Sequence, residues 1–170
     1  QAHLRRAREL VAAGSPAHWL VSAEHLEALL AEADGRPDAA LTTMTAAWRR
    51  ARGAPSLTEL PRLAPDLLRL LVRVGGHGGT LLAEVAHDLA LLSAANPGVA
   101  SLQALTLQAV ATEEGDVDAL ARAAALAHPR PHQRALALEE AAVALARASR
   151  PTEARRTAVE AAELHEELGA

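Results

Sequence analysis

An all-α fold, a solenoid of antiparallel helix pairs, is what this sequence predicts, and three observations carry the prediction. Ala, Leu, Arg and Glu dominate, while Phe, Tyr and Cys are absent and Trp occurs only twice. Strands draw on aromatic and β-branched residues, so this composition favours helices. Apolar residues recur at spacings of three and four through most of the chain, the period of a helix with one buried face. Short turns then punctuate the helical stretches, at Gly35-Arg36-Pro37, Gly115-Asp116 and Ser149-Arg150-Pro151. About nine helices are expected, in four hairpins after an N-terminal helix, within a single domain spanning residues 1–170.

Each element has its own signal. Ala2 to Ala13 reads as a short helix rich in Arg5, Arg6 and Arg8, ended by Gly14-Ser15-Pro16. Residues 17–33 form the next, with Trp19, Ala23, Leu26, Leu30 and Ala33 as its expected buried stripe. After the Gly35 turn, Ala40, Leu41, Met44, Ala47, Trp48 and Ala51 give the cleanest stripe in the chain. Antiparallel packing of this hairpin is expected to bring Trp19 and Trp48 to the same end. Gly53-Ala54-Pro55 breaks the pattern, and Pro61 and Pro65 are expected to limit any helix before Asp66.

Residues 67–74, LLRLLVRV, are apolar nearly all round and predict a helix buried on several sides. Gly75-Gly76-His77-Gly78-Gly79 follows, with Thr80 as expected N-cap of a helix running from Leu81 to Ala95. Ser101 to Glu113 and Asp118 to Ala127 make the third hairpin, closed by His128-Pro129-Arg130-Pro131-His132. The terminal pair begins near Gln133 and folds back across Ser149-Arg150-Pro151. Leu138, Ala142, Leu145 and Ala146 line its first helix, with Glu139, Glu140 and Arg147 mostly outside the stripe. Ala154, Ala158, Ala161 and Ala162 line its second with side chains small enough for close approach. Pro151 suits a helix start and Gly169 a helix stop.

The turns at Gly115 and Ser149 lie 34 residues apart, the period of tetratricopeptide (TPR) repeats. Measured from the turns, Ala40 and Ala154 fall where such repeats keep a small residue early in the second helix. Ala47, Ala127 and Ala161 fall at the next small position, with Met44 at the larger position between. The Trp, Gly and Tyr marks of the repeat's first helix are mostly missing, so the chain resembles a degenerate, TPR-like array. Its last forty or so residues resemble more closely the segment before the DNA-binding domain of large ATP-binding regulators of the LuxR family. The matching residues are Ala144-Leu145-Ala146, Arg150-Pro151, Glu153-Ala154, Ala161, His165-Glu166-Glu167 and Leu168-Gly169-Ala170. Ser149 replaces the usual Gly and His165 the usual aromatic. The resemblance implies a bacterial, cytoplasmic, regulatory and protein-interaction module, flanked in the intact protein by an ATPase and a helix-turn-helix. The opening on Gln1 is what a piece of a larger protein would show.

Charge and chemistry narrow the function classes. Net charge is −4 and every basic residue is Arg, dispersed along the chain, which argues against a phosphate-tracking surface and against direct nucleic-acid binding. No apolar run is long enough to span a membrane. Without Cys there is no disulfide or thiolate chemistry. GGHGG lacks the preceding strand and the following Lys-Ser/Thr of a phosphate loop. His128 and His132 have a metal-like spacing, but the prolines between them disfavour a helix there and no acidic or Cys partner is close by. His87-Asp88 reads as a surface pair. Nothing has a nucleophile–base–orienter pattern, so no enzyme activity, cofactor or metal is expected.

What remains are surfaces. Trp19, Trp48, Arg49 and Arg52 are the candidate partner or ligand surface, read against a packing role for the Trp pair and a solvated face for the arginines. Gly75, Gly76, Gly78 and Gly79 are the candidate hinge, read against a loose loop clamped by the buried helix before it. The partner implied is protein, from flanking domains or a regulator, with a small-molecule effector also considered. Two other readings stay open: a stand-alone peptide-docking scaffold, and a small-molecule sensor with its pocket near Trp19 and Trp48.

Overall fold

The computed structural model describes residues 5, 6, 9, 17–54, 57–75, 79–127 and 129–169. They hold eight α-helices, one short 3₁₀ turn and no strand. The helices are α1 (Ala17–Ala33), α2 (Pro37–Arg52), α3 (Leu60–Val74), α4 (Thr80–Ala95), α5 (Ala100–Glu114), α6 (Val117–Leu126), α7 (Pro131–Arg147) and α8 (Pro151–Glu167). The expected N-terminal helix at 2–13 lies almost wholly outside the described residues. Contacts divide the chain into two compact units, Gln1–Val74 and Gly75–Ala170.

One turn geometry recurs in both units. Gly35, Gly115 and Ser149 are left-handed, with φ of 74°, 71° and 59°. The following amide reaches back across the helix end in each case: Arg36 N to Ala31 O, Asp116 N to Ala111 O and Arg150 N to Leu145 O, all at 2.9 Å. This 6→1 bond satisfies a carbonyl that the ending helix would leave unpaired. The next helix starts at once, on Pro37, Val117 or Pro151, and the carbonyl of the N-cap before it, Arg36, Asp116 or Arg150, accepts from Ala40, Leu120 or Ala154 at 3.0–3.1 Å. Ser149 holds a conformation that glycine takes at the other two turns.

In the first unit α2 packs against both α1 and α3. It buries Ala40, Met44, Ala47, Trp48 and Ala51, as its stripe predicted. For α3 the sequence expectation needs correcting, because the helix begins at Leu60 and runs through Pro65. Pro61 falls in the first turn, where its missing N–H has no partner to lose. Pro65 forfeits one backbone bond, but Leu60, Leu63, Ala64, Leu67 and Leu68 around it are fully buried and hold the helix together.

The second unit is a succession of neighbours: α4 on α5, α5 on α6, α6 on α7 and α7 on α8. Small residues bring these helices close. Ala111, Ala119, Leu120 and Ala141 form one apolar cluster across α5, α6 and α7. Ala124, Ala137, Leu138 and Ala161 form another across α6, α7 and α8. The three equivalent alanines twelve residues past their turns, Ala47, Ala127 and Ala161, are all buried. At the start of α4 the N-cap is Gly79, and Thr80 is the first helical residue.

Candidate functional site

The expected surface divides once its residues are placed. Trp48 is fully buried and belongs to the core of the first unit, whereas Trp19 is 58% exposed. Arg49 and Arg52 are exposed in the last turn of α2. Between them, Arg50 makes two 3.1 Å bonds to the buried Glu24 of α1. Of the hinge residues, Gly75 is left-handed at φ 84° and Gly79 is extended. Gly76, His77 and Gly78 lie outside the described residues, as does His128. His87 is exposed but Asp88 is buried, which corrects its reading as half of a surface pair.

The buried face of α1 is not the expected one. Leu26 and Leu30 are more than half exposed, while Glu24, His25, Glu32, Val21 and Ala28 are buried. Glu24 turns inward to Arg50 of α2, and His25 and Glu32 turn inward because α3 answers them. Asp66 accepts from His25 Nε2 at 2.9 Å and from Arg69 at 3.1 Å. Arg62 approaches the other ring nitrogen of His25 at 3.3 Å and donates to Ser22 Oγ at 3.0 Å and to Glu59. Arginine can only donate, so Nδ1 must accept, and Nε2 carries the proton given to Asp66. Glu32 closes the ladder with a two-pronged pair to Arg69 and a 2.7 Å bond from Arg73. Burial by itself would push the Asp66 carboxyl up. The hydrogen bonds from His25 and Arg69 outweigh it and hold Asp66 below its usual value. Glu32 is lowered against its own burial in the same way, by Arg69 and then Arg73.

The second unit builds a different buried polar group. Glu140 of α7, expected outside the buried stripe, is 4% exposed. It accepts from Gln108 Nε2 of α5 at 2.7 Å and from Thr112 Oγ1. Nearby Gln133 reaches the Ser101 carbonyl at 3.0 Å. Among the described residues no cation joins Glu140, and burial pushes its carboxyl up, opposed only in part by the two hydrogen bonds. Asp66 and Glu140 stand nine residues ahead of the left-handed Gly75 and Ser149 that follow their helices. One register position thus carries a buried carboxyl in each unit, bridging to the helix two before it.

These groups are structural in their geometry. Each carboxylate and each ring nitrogen of His25 is occupied by a neighbour. Among the described residues no three of His, Asp and Glu are arranged to hold a metal ion, and no helix is long and apolar enough to cross a membrane. Sequence reasoning missed the ladder because its bonds join residues 37–41 positions apart. Its available signal was the pairing of acids on α1 with arginines at Arg62, Arg69 and Arg73. No protein-family model matches the chain, and neither does any curated protein or solved structure.

Proposed function

We propose that this chain is a TPR-like protein-interaction module of a bacterial, cytoplasmic LuxR-type transcriptional regulator, coupling partner or effector binding to flanking ATPase and DNA-binding domains. The observation that carries the interaction role is the recurrent 6→1 turn at Gly35, Gly115 and Ser149, each followed at once by a helix with a small-residue seam. Units of this kind stack into extended surfaces and act by what docks on them. The narrower assignment to a regulator rests on the resemblance of the last forty or so residues. In this role the chain contributes no catalytic group and leaves DNA to the flanking domain. Trp19, Arg49 and Arg52 are its exposed candidates for partner contact.

The decisive experiment has two parts. Reading the coding sequence past residue 170 is expected to show a helix-turn-helix, and a stop or an unrelated domain there would reject the regulator. The 170-residue chain itself, titrated by anisotropy against random and promoter DNA at physiological salt, is expected to show no sequence preference. Its dispersed arginines and net charge of −4 leave no phosphate-neutralising track. Sub-micromolar specific binding would overturn the reading.

A further inference from the structure

We propose that His25 and Arg62 form a pH-sensitive latch between α1 and the start of α3, in which a second proton on the imidazole ring expels Arg62 and unties the joint. One guanidinium closes the latch with three bonds. Arg62 donates to His25 Nδ1 at 3.3 Å, to Ser22 Oγ of α1 at 3.0 Å and to Glu59 at 2.9 Å. Glu59 ends the 3₁₀ turn Leu57–Glu59, which runs straight into α3. A single side chain thus ties together α1, that turn and the first turn of α3.

The weak point is His25 Nδ1. With Nε2 committed as donor to Asp66 at 2.9 Å, Nδ1 accepts only while the ring is neutral. Protonation makes it a donor facing another donor and sets imidazolium against guanidinium across the same 3.3 Å. Arginine does not give up its charge in answer. Histidine is the side chain that ordinarily changes charge between about pH 5 and 8, so the conflict belongs to an accessible range.

The surrounding charges decide which partner yields. Asp66 faces the ring from α3, and its carboxyl, held below the usual value, stays ionised across that range. Protonation therefore turns the 2.9 Å bond into an ion pair and strengthens it. Arg69 stands on the other Asp66 oxygen. Glu24 of α1 is paired with Arg50 of α2, and Glu32 with Arg69 and Arg73. His25 is buried and anchored, whereas Arg62 is exposed and has Glu59 on its own segment, three residues away. The guanidinium can turn to water without stranding a buried cation, and its bond to Ser22 goes with it. The latch opens on the Arg62 side.

NMR on the 170-residue chain, from about pH 8 to about pH 5, reads both partners, with the His25 ring assigned through its own backbone. The neutral ring is expected to be the Nε2–H tautomer. As it takes its second proton, the backbone amides of residues 22 and 57–62 are expected to shift with the same midpoint. Proton and latch compete, so by reciprocity Arg62→Met is expected to give His25 at least about a threefold gain in proton affinity. Arg36→Met, which removes an exposed guanidinium paired with Asp34, is expected to leave the midpoint in place. A neutral ring protonated on Nδ1 overturns the proposal, as does a midpoint that Arg62→Met moves no further than Arg36→Met does. So does a response at residues 57–62 that survives in His25→Gln, because another group would then be driving it. None of these outcomes bears on the regulator assignment, which the downstream coding sequence tests separately.

Discussion

A buried carboxyl at the same register position meets Arg and His in one unit and only Gln and Thr in the other, and its response to pH follows from those partners. Glu140 has its folded-state pKa raised above the ordinary 4.5 by burial. Its contribution to stability is therefore complete below about 4.5 and is lost as pH rises through the raised value. Glu140→Gln removes the ionisation, keeps one acceptor oxygen for Gln108, and turns the other position into an N–H that donates to the Thr112 hydroxyl, as the protonated carboxyl would. Urea melts should show the variant equal to the parent near pH 4 and more stable at pH 8. Glu140→Ala strands the Gln108 side-chain amide, at a cost of about 1–3 kcal/mol, and should destabilise at every pH, while Thr112 keeps its bond to the Gln108 carbonyl. Asp66 runs the opposite way. Its lowered pKa gives a stability present above the ordinary 3.8 and lost as pH falls through the folded value. Asp66→Ala leaves Arg69 and His25 short of a buried acceptor and should cost about 3–5 kcal/mol at pH 7. Asp34→Ala, which removes only the exposed partner of Arg36, should change stability by under about 0.5 kcal/mol.

At the scale of elements, α8 separates two alanines that the sequence alone treats alike. Ala161 is 2% exposed and clustered with Ala124, Ala137 and Leu138, whereas Ala158 is exposed. Ala161→Leu should therefore overpack the seam and lose roughly 1–3 kcal/mol. Ala158→Leu in the dilute chain should stay within about 0.5 kcal/mol. Thermal melts of the two variants at low micromolar concentration check this, and equal losses would contradict the assigned face. The helix boundaries at Gly35, Gly115 and Ser149 were legible because these residues and the prolines after two of them act locally. The start of α3 at Leu60 was not, because the burial that holds it across Pro65 comes from the rest of the fold. The faces of α2 and of residues 67–74 in α3 were legible because their buried residues are apolar. The face of α1 was not: hydrophobicity points to Trp19, Leu26 and Leu30, but the ion ladder to α3 turns His25 and Glu32 inward and Arg50 of α2 does the same for Glu24. Buried charges are stable only when paired, and pairs formed across 37–41 residues of chain leave no periodic trace in either helix alone. Glu140 escaped for the same reason, since its donors sit on α5, 28 and 32 residues upstream.

For the whole molecule the question is whether Gly75 to Gly79 lets two bodies turn or merely loosens a surface loop. The division of contacts falls at Val74 and Gly75, and each side holds what a cooperative unit needs. The first has the α2–α3 apolar core and the Asp66 ladder, and the second has the two alanine clusters and the Glu140 group. Gly75 at φ 84° takes a conformation that a side chain would strain, while the turns at Gly35 and Ser149 are each followed by a proline that stiffens the chain. Hinges absorb rotation at a few such permissive residues. Native-state hydrogen exchange should therefore resolve two protection classes, residues 17–74 and 80–169, with different opening free energies. Asp66→Ala should lower protection in the first class and leave the second unchanged, and Glu140→Ala should do the reverse. Gly76→Ala and Gly78→Ala, which restrict the linker, should slow exchange near residues 75–79 without merging the classes. If the helices on both sides instead exchange together, and each core variant lowers protection across the entire chain, the array opens as one body and the glycines are only a loop.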